Sequence, residues 1–330
     1  MRNVQLPIID LSGSSDSASL RGPASAIGAA CRSLGFFYVV NHGVDEALEL
    51  RLEALSREFF ALSGEEKQRI HMSRGGRAWR GYFPVGEELT SGVADLKEGI
   101  YFGAELGPDD ARVRAATPLH GQNLFPDRPA GLRQTVIEYM AAMTRLGHTL
   151  MRAVALSLDL PATYFAQRYT GEPFVLFRIF HYPPAAAGND RQWGVGEHTD
   201  YGLLTILKQD ASGGLQVKSR SGWIDAAPVA GSFVINIGDM LERMTAGLYR
   251  STPHRVRNAS ATGRLSFPFF FDPSFDAEVR PIDVTRQLPP DDRAERWDGA
   301  NVHELSGTYG DYLLSKVTKV FPELRRSVLP

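Results

Sequence analysis

The sequence contains a single cysteine, Cys31, among its 330 residues. One thiol cannot form an internal disulfide or a zinc site built from several cysteines, and this scarcity is typical of proteins from a reducing compartment. The N-terminal residues lack the apolar segment of a secretory signal, and no apolar run is long enough to cross a bilayer. We therefore expect a soluble, cytoplasmic protein.

The sequence also lacks an excess of charge of either sign. It has 36 lysine and arginine residues against 38 aspartate and glutamate residues, which gives a net charge of −2. No basic stripe stands out, so nucleic acid and anionic membrane surfaces are disfavoured as partners. Internal repeats and low-complexity linkers are absent as well. We expect one structural unit that acts on a small molecule, and the sequence leaves its oligomeric state open.

The pattern of apolar residues changes along the chain. Short strands and amphipathic helices mix in residues 1–120, and a helical region follows in residues 121–171. Residues 172–275 contain many short β-rich runs between tight turns, a pattern typical of an antiparallel sandwich or jelly roll. Residues 276–330 end in one amphipathic helix. These regions predict a mainly β (α+β) fold with a double-stranded β-helix, or jelly-roll, core and a helical buttress.

The stretch EHTDYG, residues 197–202, places His198 and Asp200 two positions apart. Side chains two apart on an extended chain project to the same side, so both can reach one metal ion. A third ligand is available at His254, since the 53 intervening residues span about four strands and can return the chain to its start. Two imidazoles and one carboxylate leave open positions on the ion, an arrangement that suits ferrous iron in oxygenases.

The segment RLS follows ten residues after His254 and places Arg264 and Ser266 two apart on a predicted strand with apolar neighbours. An arginine in this setting must reach solvent or pair with a buried anion, because an unpaired buried charge is costly. Guanidinium offers a planar fork for a carboxylate, and the serine hydroxyl can add a hydrogen bond. The segment predicts a bound carboxylate, with a surface salt bridge of Arg264 as the alternative.

The order H-T-D, P-H-R-V, R-L-S resembles that of the iron(II)/2-oxoglutarate-dependent dioxygenases, specifically their isopenicillin N synthase-like branch. The resemblance spans nearly the whole chain and also includes PIIDLSG, GFFYVVNHGV, FFALSGEEK, RGYFP, HTDYGLLTIL, GGLQV and NIGDMLERMTAG. It implies that His198, Asp200 and His254 bind Fe(II), and that Arg264 and Ser266 hold the distal carboxylate of 2-oxoglutarate. With O₂, such an enzyme oxidises, and usually hydroxylates, an unactivated C–H bond and releases succinate and CO₂.

The resemblance implies roles for three more residues. Tyr182, in RIFHYPP, matches a tyrosine that contacts the co-substrate in many relatives, although this chain has Phe180 where many plant members carry asparagine. Arg80 and Tyr82, in WRGYFP, match a stretch that meets a substrate carboxylate in isopenicillin N synthase. The alternative for Arg80 and Tyr82 is a loop that packs against the core. Around them, residues 71–103 are expected to form strands and loops that cover the site.

Two other functions remain open from the sequence. An oxidase similar to isopenicillin N synthase would use no 2-oxoglutarate, and Arg264 and Ser266 would then bind the carboxylate of the substrate itself. A non-redox, zinc-binding jelly roll could use the same three ligands, but it offers no reason for an arginine and a serine beside them. The prime substrate, and the choice between hydroxylation, desaturation and ring closure, are not set by these motifs.

Overall fold

A computed structural model of the protein describes residues 5–14, 16–90, 92–184, 193–257, 261–282, 299, 301–304 and 306–327. The helices are α1 Arg21–Ser33, α2 Glu46–Phe60, α3 Gly64–Gln68, α4 Ala111–Arg114, α5 Leu132–Ser157, α6 Tyr164–Arg168, α7 Asp239–Met244, α8 Tyr309–Val320 and α9 Pro322–Ser327. Among these described helices, none combines the length and the apolar character that crossing a bilayer requires.

The strands run from short N-terminal pieces to a dense series after residue 173. They are β1 Ile8–Asp10, β2 Phe36–Val40, β3 Gly81–Phe83, β4 Leu89–Thr90, β5 Val93–Ala94, β6 Glu98–Gly103, β7 Phe174–Tyr182, β8 Val195–His198, β9 Leu204–Gln209, β10 Leu215–Ser219, β11 Gly222–Asp225, β12 Ser232–Ile237, β13 His254–Val256 and β14 Arg264–Asp272.

Two larger sheets organise twelve of these strands, and β4 and β5 form a separate antiparallel pair. The larger has the order β1-β2-β12-β9-β14-β7-β6-β3, and the smaller has the order β11-β10-β13-β8. Pairing is antiparallel throughout both sheets except between β1 and β2. Strands that are adjacent in space are often distant in sequence, as when β14 lies between β9 and β7. This arrangement confirms the predicted jelly-roll core with flanking helices.

The alternation of side chains along β7 and β14 separates the core from a cavity. Phe177 on β7 and Phe271 on β14 face helix α5, where Phe177 contacts Tyr139 and Phe271 approaches Gly147. The even-numbered residues from Leu176 to Tyr182 on β7 and from Arg264 to Asp272 on β14 line the cavity on the other face of the sheet. Because strand side chains alternate between faces, one pair of strands supplies both the helical interface and a wall of the site.

The C-terminal segment differs from the single helix that we predicted. Helix α8 ends at Val320, Phe321 has φ −124° and ψ 86°, and α9 begins at Pro322. A residue before proline is disfavoured in the helical conformation, because the proline ring clashes with it. The Phe-Pro step therefore divides the segment into two helices, and Phe321 is buried at the bend.

Close packing between α5 and β14 predicts the effect of a single methyl group. A Cβ atom on Gly147 would lie 2.3 Å from Cδ2 of the fully buried Phe271. Gly147→Ala should therefore destabilise the fold by about 1–3 kcal/mol, as overpacking usually does, and urea denaturation can measure the change. Gly22→Ala is the matched control, because a Cβ on this helical glycine meets nothing within 4 Å. Equal stability of both variants would contradict the described packing.

Candidate functional site

The three predicted metal ligands meet at one point between the sheets. His198 is the last residue of β8 and pairs directly with His254, the first residue of β13, so that their ring centroids are 4.3 Å apart. Asp200 follows in the next loop, and its two carboxylate oxygens lie 3.8 Å from the Nε2 atoms of the two histidines. One ligand atom from each residue lies within 4.8 Å of the others, a spacing that one ion can bridge.

Backbone carbonyls orient both imidazole rings. Nδ1 of His198 lies 2.8 Å from the carbonyl oxygen of Gly196, and Nδ1 of His254 lies 3.2 Å from that of Thr252. A carbonyl oxygen only accepts hydrogen bonds, so Nδ1 carries the proton in each ring and Nε2 keeps its lone pair. This hydrogen bond on the remote ring nitrogen is typical of metal-binding histidines. The donor atoms thus fit a divalent cation.

Strands β9 and β12 hold the carboxylate of Asp200. Thr205 and Asn236 lie opposite each other on these strands and donate hydrogen bonds of 2.5 and 2.7 Å to Oδ2. Burial alone raises the pKa of Asp200, but the positive charge of His254 and His198 and these hydrogen bonds lower it overall. Burial and then the charge of His198 lower the pKa of His254 to about 4. Asp200 and His254 therefore have the protonation states that metal binding needs near neutral pH.

Arg264, Ser266 and Tyr182 lie in the same cavity as the three ligands. Arg264 is 1% exposed, which rules out the surface salt bridge considered as its alternative. Its Nε donates to the carbonyl oxygen of Gly213 at 2.6 Å, and its Cζ lies 4.6 Å from the ring centroid of Tyr182. Neither Nη atom has a hydrogen-bond partner among the residues that the structure describes. The Ser266 hydroxyl is 3.5 Å from that of Tyr182. Ser266 and Tyr182 thus lie beside a buried guanidinium whose two Nη atoms have no partner in the described structure.

The structure does not bring Arg80 and Tyr82 into this cavity. The Arg80 guanidinium donates to the carbonyl oxygens of Ala104 (2.8 Å), Gly121 (2.6 Å) and Leu119 (3.0 Å). The Tyr82 hydroxyl donates to Glu98 at 2.7 Å, and both side chains are buried. Surrounding loops and strands engage the two Nη atoms of Arg80 and the hydroxyl of Tyr82, which favours the packing interpretation over contact with a substrate.

Comparison with known proteins identifies the family. Residues 6–128 match the family described as non-haem dioxygenase in morphine synthesis N-terminal, and residues 168–273 match the 2OG-Fe(II) oxygenase superfamily. A probable iron/ascorbate oxidoreductase of Dictyostelium discoideum is 49% identical over 352 residues, covering 98% of this chain and 97% of that protein. The chain belongs to the 2OG-Fe(II) oxygenase superfamily.

Two further similarities agree with this family. A homoarginine-6-hydroxylase of Arabidopsis thaliana is 37% identical over 334 residues, covering 96% of this chain and 97% of that protein. The crystal structure of a full-length Neurospora crassa protein in complex with alpha-KG and thymine superposes with a TM-score of 0.79 at 27% identity, covering 96% of this chain and 97% of that one. The protein is therefore an Fe(II)- and 2-oxoglutarate-dependent oxidoreductase that uses O₂ and acts on a small molecule.

The cavity of this oxygenase has a charged wall that the sequence motifs did not reveal. Lys97 lies 2.7 Å from Glu88 and also contacts Asp95, while Arg178 lies 3.4 Å from Glu88. Glu88, Lys97 and Arg178 line the cavity, and only Arg178 carried a signal in the sequence, because it shares a strand face with Tyr182. The cavity also has an apolar lining from Leu313, Val317, Val320 and Phe321 at the C-terminal end of the described chain.

Two aspartates connect helix α8 to the loop that carries Asp200. Asp239 begins α7, and its backbone N–H donates to the carbonyl oxygen of Asp200 at 2.8 Å. Its carboxylate accepts a hydrogen bond from Tyr312 at 2.7 Å. Asp272 accepts one from Tyr309 at 2.5 Å and lies so close to Gly202 that a Cβ there would be 1.4 Å from its Oδ1. Helix α8 thus supports the loop that carries Asp200 through these two aspartates.

Asp272 also predicts a pH dependence of stability. Burial raises its pKa to about 7, well above the ordinary value near 3.8. The protonated form is therefore favoured in the folded state, and this contribution to stability is complete below pH 4 and lost as the pH rises to about 7. Asp272→Asn, which cannot ionise, should lack this loss. In metal-free protein, the stability of the variant relative to wild type should rise by a few kcal/mol, on the order of 1.4 kcal/mol per pKa unit, between pH 4 and pH 7.

Urea denaturation at a series of pH values measures the effect. Asp127→Asn, the same substitution at an exposed position, provides the control. A constant difference for Asp272→Asn would show that the buried carboxyl does not gain a proton on folding.

Proposed function

We propose that His198, Asp200 and His254 bind the Fe(II) of this oxygenase, and that Arg264 and Ser266 bind the distal carboxylate of 2-oxoglutarate. The observation that carries the assignment is the buried Arg264 guanidinium, whose Nη atoms lack partners in the described structure, within the cavity of the three ligands. A buried cation without a counter-charge costs several kcal/mol, so a bound anion is required. Tyr182 packs against the guanidinium and completes this end of the cavity.

The residues around the centre have separate tasks. Bound iron would supply the activation of O₂ that couples decarboxylation of 2-oxoglutarate to oxidation of a C–H bond. The carbonyl oxygens of Gly196 and Thr252 keep Nε2 of each histidine available, and Thr205 and Asn236 hold the carboxylate of Asp200. The aromatic and aliphatic residues of the cavity exclude water, which strengthens the electrostatic interactions inside.

Hydroxylation is the outcome that we propose, with a free amino acid as the first substrate class to test. Support comes from the 37% identical Arabidopsis relative, which is a homoarginine-6-hydroxylase. A screen of amino acids, nucleobases and small aromatic acids should find compounds that stimulate succinate release in proportion to O₂ consumption. Substrate-dependent O₂ consumption without 2-oxoglutarate would instead favour the oxidase similar to isopenicillin N synthase.

Removal of the carboxylate ligand should abolish metal binding. Asp200→Ala leaves two imidazoles for the ion, and we expect its Fe(II) affinity to fall by more than roughly 100-fold, since even the loss of a group that only hydrogen-bonds to a ligand costs about 10–100-fold. Anaerobic titration with Fe(II), or with Co(II) as a spectroscopic probe, measures the affinity. Asp225→Ala, at an exposed position on β11, is the control. Near-normal affinity of Asp200→Ala would contradict the ligand assignment.

Removal of the guanidinium should weaken 2-oxoglutarate binding without removing iron. Arg264→Leu deletes one partner of a buried charge pair, and such deletions cost about 2–5 kcal/mol, so the KM for 2-oxoglutarate should rise by roughly 30-fold or more. Arg264→Lys keeps the charge but loses the planar fork, and we expect an intermediate KM. Steady-state succinate formation gives the KM, and Fe(II) titration checks the metal site. An unchanged KM in Arg264→Leu would mean that another group binds the carboxylate.

A further inference from the structure

We propose that Arg178 binds the carboxylate of the prime substrate, and that this substrate is an amino acid whose positive charge keeps the neighbouring wall neutral. The inference rests on the proposed function, which assigns Arg264 to 2-oxoglutarate. Both arginines line one cavity, but Arg264 is fully buried whereas Arg178 is partly buried, and they belong to different parts of the cavity.

Arg178 is separated from the proposed co-substrate site along strand β7. Tyr182 pairs with Arg264 in the register between β7 and β14, and Arg178 precedes Tyr182 by four residues on the same face. At a rise of about 3.3 Å per residue, four residues span about 13 Å. A small dicarboxylate held at Arg264 therefore leaves Arg178 available to a second ligand.

The guanidinium of Arg178 is fixed in orientation but incompletely hydrogen-bonded. Its Cζ lies 4.1 Å from the ring centroid of Tyr101 and 4.7 Å from that of Phe270, so aromatic rings pack against it. Its contact with Glu88 is long, at 3.4 Å, and its buried Nε has no hydrogen-bond partner within the described part of the chain. Packing on rings thus leaves Nε without a partner and Nη1 with only a long contact, and a carboxylate is the group that a guanidinium fork binds best.

The other charges of this wall already pair with one another. Lys97 is bonded to both Glu88 and Asp95, and the Tyr101 hydroxyl also donates to Glu88. Glu88, Asp95, Lys97 and Arg178 carry two negative and two positive charges, so the wall is neutral before a ligand binds. A carboxylate alone would add a buried negative charge, whereas an amino acid brings an ammonium group with it. A zwitterion therefore costs less to bury here than a simple anion.

The apolar lining from helix α8 and Phe321 suits the rest of such a molecule. Leu313, Val317 and Val320 of α8 face the cavity together with Phe321. These side chains offer no hydrogen bonds, so they suit an aliphatic side chain, which also carries the unactivated C–H bonds that the family oxidises. The cavity thus combines a carboxylate donor, a charge-balanced polar wall and an apolar wall.

Matched ligands test the substrate class without any substitution. Free α-amino acids, including basic ones, are each compared with the α-carboxamide and with the acid that lacks the amino group, at saturating Fe(II) and 2-oxoglutarate. We expect one or more amino acids to stimulate succinate release. Their carboxamides and desamino acids should need at least 30-fold higher concentrations to give the same stimulation. Equal stimulation by an amino acid and its carboxamide would overturn the role of the carboxylate. Stimulation by uncharged compounds alone, or by none of the amino acids, would overturn the class.

Variants at position 178 test the residue. Arg178→Met keeps an unbranched chain between the rings and removes the fork, and Arg178→Lys keeps the charge. The KM for the amino acid, and its dissociation constant from metal-free protein by calorimetry, should rise at least 30-fold in Arg178→Met and less in Arg178→Lys. If Arg178→Met fails to fold, the dissociation constant of the amino acid from Arg178→Lys and the comparison of matched ligands still test the assignment. An unchanged dissociation constant in either folded variant would overturn the assignment.

Binding of 2-oxoglutarate separates this inference from the proposed function. The dissociation constant of 2-oxoglutarate from the Fe(II)-loaded protein, followed by its visible absorption band, should change less than threefold in Arg178→Met and should rise strongly in Arg264→Leu. A strong rise in Arg178→Met would place Arg178 in the co-substrate site and overturn the inference. An unchanged value in Arg264→Leu would instead overturn the proposed function and leave the amino-acid result standing.

Discussion

The register between β8 and β13 is the constraint on which the rest of the site depends. His254 lies directly opposite His198, and this pair brings together two ligands that are more than fifty positions apart in the sequence. A slip of one residue would turn His254 to the other face of its strand, because side chains alternate. Strand β10 stabilises the register by pairing with the other edge of β13. The turn that leads into β10 carries the Gly213 carbonyl, which accepts a hydrogen bond from Arg264. The proposed metal and co-substrate sites thus share one structural support.

The same alternation explains how a sheet with a phenylalanine-rich core can also carry buried charge. On β14, Phe267, Phe269 and Phe271 are fully buried on the side of α5, while Arg264, Ser266 and Asp272 line the cavity. Hydrophobic burial on one face provides the stability that permits polar residues on the other. Those polar residues are costly while unpaired, as the unsatisfied guanidinium of Arg264 shows. Buried polar side chains that lack a protein partner are therefore expected at sites where a bound ligand supplies that partner.

The sequence predicted the parts of the site that depend on local spacing. His198 with Asp200, and Arg264 with Ser266, are pairs two residues apart on extended chain, and strand geometry alone places each pair on one side. Glu88, Lys97 and Asp272 were not predicted, because the folding of distant segments brings them to the cavity and no local pattern marks them. At Arg80 the local motif suggested a substrate contact that the structure does not favour. The three carbonyls that bind its guanidinium come from distant parts of the sequence, so the motif contains no information about them.

The C-terminal helix joins the substrate end of the cavity to the metal end. Tyr309 and Tyr312 are one turn apart on α8, and they bind Asp272 and Asp239, the two carboxylates next to the loop that carries Asp200. On the same helix, Leu313 and Val317 line the cavity. Displacement of α8 must therefore strain the buried hydrogen bonds from Tyr309 to Asp272 and from Tyr312 to Asp239. Buried hydrogen-bonding groups are costly to leave without partners. One helix therefore contributes both to the apolar lining of the cavity and, through these two aspartates, to the support of the loop that carries Asp200.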